Sequence, residues 1–244
     1  MVTGGAGGLG AQITKLLAEN GAALAIGYFN GRDRAEALAA SLRQSGATAH
    51  AIEIDISDPA SIEAGVARAA KALGGLSALV NNAGRAATGA SIPHGDLDAI
   101  TPEIWDDLMA VNVRGPFLTA RAALPYLRAS KQGRIVNIGS TIGHGAWGAG
   151  AVYAPSKGAI SSLTRFLAAR LAPDVTVNTV SPGLMLGSDM SASAPPDFIG
   201  SWKDQSALGR TTDPGDVARA VLSFLDSPGV TGQSLIVDGG IHFG

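Results

Sequence analysis

Short apolar runs alternate along the chain with longer stretches in which apolar positions recur every three or four residues. The runs Ala22–Tyr28, Ala49–Ile54, Ala78–Asn81, Arg134–Ile138, Thr176–Val180 and Ser234–Val237 read as strands. Leu9–Asn20, Arg34–Ser45, Ser61–Leu73, Pro102–Leu127, Tyr153–Ala172 and Pro214–Leu225 read as helices. Strand and helix in alternation predict parallel βαβ units, with helices on both faces of one doubly wound sheet. The residues ahead of the first helix, Met1, Val2 and Thr3, would add a seventh strand, shorter than the roughly five residues usual for one. Ligands of such sheets bind beyond the carboxyl ends of the strands, so candidate chemistry is expected in the segments that follow them. Pro116 has no N–H to offer the Asn112 carbonyl four residues earlier, and Gly115 loosens the same turn, so the long helix is expected to kink there. The stretch from Leu184 to Ala207 is irregular, with scattered Ser, Pro and Gly, and a substrate lid is expected over 184–207, with a long surface loop as the alternative. No composition break divides residues 1–244, which read as a single domain.

Composition narrows the function classes. Apolar residues make up 46% and charged residues 16%, which is globular and far from disorder. A formal net charge of −2 gives no reason to expect a nucleic-acid partner. The absence of cysteine removes disulfides, thiolate metal sites and a Cys nucleophile. His94, His144 and His242 have no ligand-spaced partners, so no metal is expected. The opening MVTGGAGGLG lacks the pattern of a signal peptide, and the longest uncharged stretch, Ile135 to Ser156, is rich in Gly, Ser, Asn and His. A cytoplasmic protein without a membrane span is expected.

Six constellations carry candidate chemistry. Thr3-Gly4-Gly5-Ala6-Gly7-Gly8-Leu9-Gly10 opens a helix, where glycines let backbone approach a pyrophosphate and free N–H groups meet it; a bland Gly-rich turn is the alternative. Asp55, with Ile56 after it, ends a strand, where a carboxylate can accept from an adenine amino group or simply cap a helix or a turn. Asn81-Asn82-Ala83-Gly84 can brace cofactor-facing loops or form a plain turn. Tyr153 and Lys157 are four residues apart on one helix face; a nearby cation favours phenolate, lowers the Tyr pKa and makes it a general acid or base. Pro155 is tolerated if it lies in the first turn. Ser140 follows a strand thirteen residues before Tyr153, and its hydroxyl could reach a substrate carbonyl. Asn112 lies in the expected kink, where an unbonded carbonyl could hold water; a buried Asn with a structural partner is the alternative.

Together TGGAGGLG, NNAG, VNVRGPF, RIVNIGS, YAPSK, SPG and TGQSLIVDGG, in this order and spacing, resemble the short-chain dehydrogenase/reductase family from Thr3 to Gly240, in particular its 3-oxoacyl-[acyl-carrier-protein] reductase-like members. The resemblance implies a single-domain α/β Rossmann fold with a seven-stranded, mostly parallel sheet. It also implies an oxidoreductase that moves a hydride between a nicotinamide dinucleotide and a carbonyl or alcohol. By it, Tyr153 donates the proton to the carbonyl oxygen, Ser140 polarises that carbonyl, and Lys157 depresses the Tyr pKa and holds the nicotinamide ribose. Asn112 anchors a water that relays protons to Lys157. Gly4, Gly8, Leu9, Gly10, Asn82, Ala83 and Gly84 border the cofactor, and Pro182 and Gly183 flank the nicotinamide. Ser188 stands where a Thr commonly bonds the carboxamide. The segment from Arg85 to Thr101 is longer than in many relatives. The resemblance also implies a homodimer or homotetramer, paired through the long helices.

Cofactor choice is carried by the second strand. Sites that prefer NAD place an acid at its end to hold the ribose hydroxyls. Here that position is Tyr28, and the first acid, Asp33, lies beyond Arg32. Arg32, assisted by Asn30, is the expected clamp for a 2′-phosphate, giving NADP(H) as preferred cofactor and NAD(H) as the alternative. The leading expectation is therefore an NADP-linked ketone or 3-oxoacyl reductase. An NAD-linked alcohol dehydrogenase and a non-catalytic dinucleotide-sensing regulator stand against it. The intact Ser140, Tyr153, Lys157 and Asn112 set speaks against the regulator.

Overall fold

The computed structural model describes residues 1–86, 96–145, 150–187, 191 and 194–243. Its strands are β1 (Leu24–Tyr28), β2 (Ala49–Glu53), β3 (Ala78–Asn81), β4 (Gly133–Ile138), β5 (Val175–Pro182) and β6 (Ser234–Val237). All paired neighbours run parallel: β1 on β2 with Leu24 opposite Ala49, β3 on β4 with Ala78 opposite Arg134, β4 on β5 with Gly133 opposite Val175, and β5 on β6 with Thr179 opposite Ser234. The seventh strand of the expectation is a bridge rather than a full strand. Val2 pairs parallel with both Ile26 and Val80. The Val2 amide donates to Ala25 at 2.9 Å and its carbonyl accepts from Gly27 at 2.8 Å, while the Thr3 amide donates to Val80 at 3.0 Å. This segment joins β2–β1 on one side to β3–β4–β5–β6 on the other. The winding reverses here, and in such a sheet that reversal opens the ligand crevice.

The helices are α1 (Gly8–Glu19), α2 (Arg32–Gln44), α3 (Pro59–Leu73), α4 (Pro102–Met109), α5 (Gly115–Ala129), α6 (Tyr153–Leu171), α7 (Pro196–Gln205) and α8 (Pro214–Asp226). Their starts follow local chemistry. Asp58 caps α3 by accepting from Ala60 and Ser61, and Asp213 caps α8 by accepting from Gly215, each followed by Pro at the first helical position. Two apolar cores form, one on each sheet face. Ile62, Val66, Ala123, Leu127 and Leu167 bring α3, α5 and α6 onto one face. Ile13, Leu17, Leu42, Val217 and Val221 bring α1, α2 and α8 onto the other. Strand β1, covered on both sides, is buried at every position.

Between α4 and α5 the chain makes a π turn, Ala110–Arg114, which holds Asn112. The segment 184–207, where a lid is expected, contains α7, which apolar periodicity did not reveal. Among the described residues no helix is long and apolar enough to cross a membrane.

Candidate active site

A cavity of about 540 Å³ runs along the carboxyl ends of the strands. Its floor is the glycine loop. Gly4 has φ +60°, and a Cβ at Gly10 would fall 2.0 Å from the Gly4 carbonyl oxygen, so these positions admit no side chain. A Cβ at Gly7, by contrast, would meet no protein atom within 4 Å, and Gly7 lines the cavity. No side chain caps α1, whose N-cap is Gly7. The helix thus presents bare amides and the positive end of its dipole to open space, a fit for a pyrophosphate.

The loops around it are braced as Asn82 suggested. The Asn82 side chain donates to the Thr3 and Gly4 carbonyls at 3.0 and 3.1 Å, and the Thr3 hydroxyl accepts from the Asn82 and Ala83 amides at 3.0 Å each. Asn81 turns inward instead, donating to the Pro116 carbonyl at 3.2 Å and to Asn137 Oδ1 at 2.9 Å. Gly8, Leu9, Ala83, Gly84, Pro182 and Gly183 all line the cavity. So do Asp55 and Ile56. One Asp55 oxygen is taken by the Ser57 amide and hydroxyl, at 2.8 and 2.7 Å. The helix-capping role considered for Asp55 belongs to Asp58. Ser188 lies outside the described residues.

At the adenosine end the structure parts from expectation. Asn30 lines the cavity, and Arg32 does not. Arg32 points outward with its side chain 67% exposed and pairs with Glu53 of β2 at 2.8 Å. Arg34 takes the place expected of it, lining the cavity with Tyr28, Phe29 and Asn30. Its guanidinium lies over Gly31, where a Cβ would stand 2.9 Å from Nε.

At the other end Ser140, Tyr153 and Lys157 converge. Ser140 follows β4 by two residues and caps a 3-10 turn, Thr141–His144; Tyr153 opens α6, so Pro155 falls harmlessly in the first turn. Lys157 is 5% exposed; its Nζ lies 5.8 Å from the Tyr153 ring centre and donates to the Ile138 carbonyl at 3.0 Å. Burial lowers the lysine pKa from 10.5 to about 8. The tyrosine shift runs opposite to the expectation. Burial raises the phenol, and a hydrogen bond with Ser140 only partly opposes it. Desolvation of the buried phenol outweighs that hydrogen bond. Asn112 does not line the cavity. Its side chain accepts from the Arg85 amide at 3.0 Å and donates to the Arg85 carbonyl at 2.8 Å and to Ser156 Oγ at 3.1 Å. It therefore ties the loop after β3 to the helix of Tyr153 and Lys157.

Several lining residues carried no motif. Arg85, paired with Asp107 of α4, borders the cavity, as do Phe198 and Trp202 of α7, packed edge to face at 6.1 Å. The Phe198 and Trp202 spacing of four on one helix face is the signal that could have marked them. Met185 also lines the cavity, while Trp147 and His94 lie outside the described residues. Among the described residues no group of three or more His, Cys, Asp or Glu could hold a metal ion.

Comparison with known proteins agrees with this geometry. A family model described as enoyl-(acyl carrier protein) reductase matches residues 4–242. The chain is 35% identical to a 2,5-dichloro-2,5-cyclohexadiene-1,4-diol dehydrogenase of Sphingobium indicum, over 100% of this chain and 96% of the relative. It is 30% identical to a 3-oxoacyl-[acyl-carrier-protein] reductase of Staphylococcus aureus, over 99% of this chain and 97% of the relative. Its fold superposes with a TM-score of 0.88 on a short-chain dehydrogenase of Burkholderia cenocepacia solved in complex with NADP, at 36% identity over 98% of this chain and 96% of the other. With Ser140, Tyr153 and Lys157 gathered at one end of the cleft, the chain belongs to the short-chain dehydrogenase/reductase family of oxidoreductases acting on alcohol and carbonyl groups.

Proposed function

We propose that the chain is an NADP(H)-dependent reductase of ketone or 3-oxoacyl substrates. The observation that carries the reading is the meeting of Ser140 and Tyr153 hydroxyls, with Lys157 beside them, in the same cleft as an uncapped helix end. The glycine loop and α1 would hold the pyrophosphate. When bound, the dinucleotide supplies the hydride. Tyr153, kept protonated by its raised pKa, donates its Oη proton to the carbonyl oxygen, while Ser140 Oγ polarises that carbonyl. Lys157 holds the ribose and supplies positive charge below about pH 8. The Asn112 carbonyl, which cannot receive a bond from Pro116, anchors the water that relays a proton to Lys157. Ser188 bonds the carboxamide, and 184–207 with α7 closes over the substrate.

Tyr28 in place of an acid at the end of β1, with Arg34 and Asn30 on the cleft wall, supports a 2′-phosphate and hence NADP(H). Exposed Trp105, Phe117 and Phe166 on α4, α5 and α6 support pairing of these helices across a two-fold axis into a dimer or tetramer, which sedimentation at micromolar concentration tests. The absence of cysteine suits a cytoplasmic setting.

The activity test is an assay at 340 nm across ketones, 3-oxoacyl thioesters and sugars with both cofactors. Tyr153→Phe should lose roughly 10²-fold or more in rate with little change in cofactor binding. Near-wild-type turnover in that variant would sink the mechanism. Arg34→Ala should weaken NADPH by about 1–3 kcal/mol and leave NADH nearly unchanged, while Arg32→Ala does neither. Tighter binding of NADH than NADPH by the wild type would overturn the preference.

A further inference from the structure

The glycine turn that ends the sheet touches both halves of the substrate site. Asp238, 3% exposed, directly follows β6. One carboxylate oxygen accepts from the Gly240 and Ile241 amides at 2.9 and 3.1 Å; the other accepts from the His242 amide at 3.0 Å and the Thr141 hydroxyl at 2.6 Å. Thr141 is the neighbour of Ser140 and is itself buried. The next two residues hold the chain that leaves α7. The Gly239 carbonyl accepts from the Ser206 hydroxyl at 2.9 Å and the Leu208 amide at 3.0 Å, and the Gly240 carbonyl accepts from Ala207 at 3.2 Å. These partners follow directly on α7, whose Phe198 and Trp202 face the cleft. On the remaining side Gly183 packs so closely that a Cβ there would stand 2.8 Å from the Asp238 Cβ.

We propose that Asp238 is a positioning residue for the reaction: through Thr141 it fixes the turn that presents Ser140, and through Gly239 and Gly240 it sets that turn against the end of α7. A buried carboxylate must be matched by donors, and the four it has come from two different segments, so its desolvation is compensated only when both are in place. The 3-10 turn has a second tether, His144 Nε2 to Ser181 Oγ at 3.0 Å. With Thr141 fixed at one end and His144 at the other, the hydroxyl of Ser140 keeps its aim at the carbonyl. This inference rests on the role given to Ser140 above.

The test is Thr141→Val, which keeps shape and removes the hydroxyl, with Thr141→Ser as the rescue. Thr141→Val should lower kcat about tenfold, the cost of one charge-assisted hydrogen bond, while KM and the NADPH dissociation constant change less than about twofold. Thr141→Ser should restore kcat. Asp238→Asn should match Thr141→Val, and the double variant should be no worse than Asp238→Asn. In a Ser140→Ala background Thr141→Val should have no further effect, which a general loss of structure would not produce. Wild-type kcat in Thr141→Val, or an equal loss in the Ser140→Ala background, overturns the proposal even if Asp238→Asn fails to fold. Failure of the reading itself shows differently, as wild-type turnover in Ser140→Ala.

Discussion

Lys157 carries its charge at a cost to the fold, and the cost can be measured. The folded pKa is about 8 against 10.5 in solution, so the unfolded chain holds the proton more tightly. Between those values the unfolded state binds more protons, and stability rises with pH. Below pH 8 the full penalty applies, worth about 3 kcal/mol. Lys157→Met fills the same space without charge. It leaves the Ile138 carbonyl without its partner, at about 1 kcal/mol. The variant should therefore be about 2 kcal/mol more stable than wild type at pH 7 while having lost its catalysis. By pH 9.5 the wild type should recover about 2 kcal/mol, so the two converge. Urea unfolding at both pH values, at equal protein concentration because assembly adds to stability, reads the difference. A gap independent of pH, or a variant less stable at pH 7, would refute a charged Lys157 in a desolvated site.

The same group should shape the rate. In wild type kcat/KM for the cofactor, which reports the free enzyme, should fall as pH rises through about 8 and the cation is lost; in Lys157→Arg that fall should move beyond pH 10, seen in a pH profile of both proteins. The glycine loop separates two kinds of constraint. Gly7→Ala should weaken NADPH more than about tenfold with an unchanged thermal midpoint, because its Cβ enters only the cleft. Gly10→Ala should lower stability itself by about 1–3 kcal/mol, because its Cβ meets backbone, and comparison of cofactor titrations with thermal melts tells the two apart.

Much of this was legible in the chain. Strand β1, buried at every position, reads as an apolar run, and the glycine loop and the Tyr153–Lys157 pair depend on local spacing, which sequence displays directly. What escaped depends on where helices begin and how they turn. Arg32 looked like the phosphate clamp because it stands nearer the strand. But α2 starts at Arg32, so its first turn throws that residue toward Glu53, and Arg34, two residues and about 200° farther round, faces the cleft. Asp55 and Asp58 are alike as letters, and only the start of α3 at Pro59 decides which one caps. The sign of the Tyr153 shift depends on burial against a hydrogen bond with Ser140, neither of which spacing reveals. Phe198 and Trp202 acquire a role only because α7 folds back over the cleft.

The π turn at Ala110–Arg114 makes length, as well as the identity of Asn112, a guarded property of this segment. A residue added or removed in a helix rotates everything on one side of it by about 100° relative to the other. Upstream, Asp107 is pointed at Arg85; at the turn's last residue Arg114 reaches the Ser57 carbonyl at 2.9 Å, and just downstream Gly115 lies so near the Ile56 carbonyl that a Cβ would approach it to 2.6 Å. A single deletion within 110–114 would allow a continuous α-helix, yet it could keep only one of these two registers. Substitutions there other than at Asn112 should be absorbed one by one, whereas insertions and deletions should be excluded: the turn acts as a fixed phase offset between the half of the helix paired with Arg85 and the half packed against Ile56.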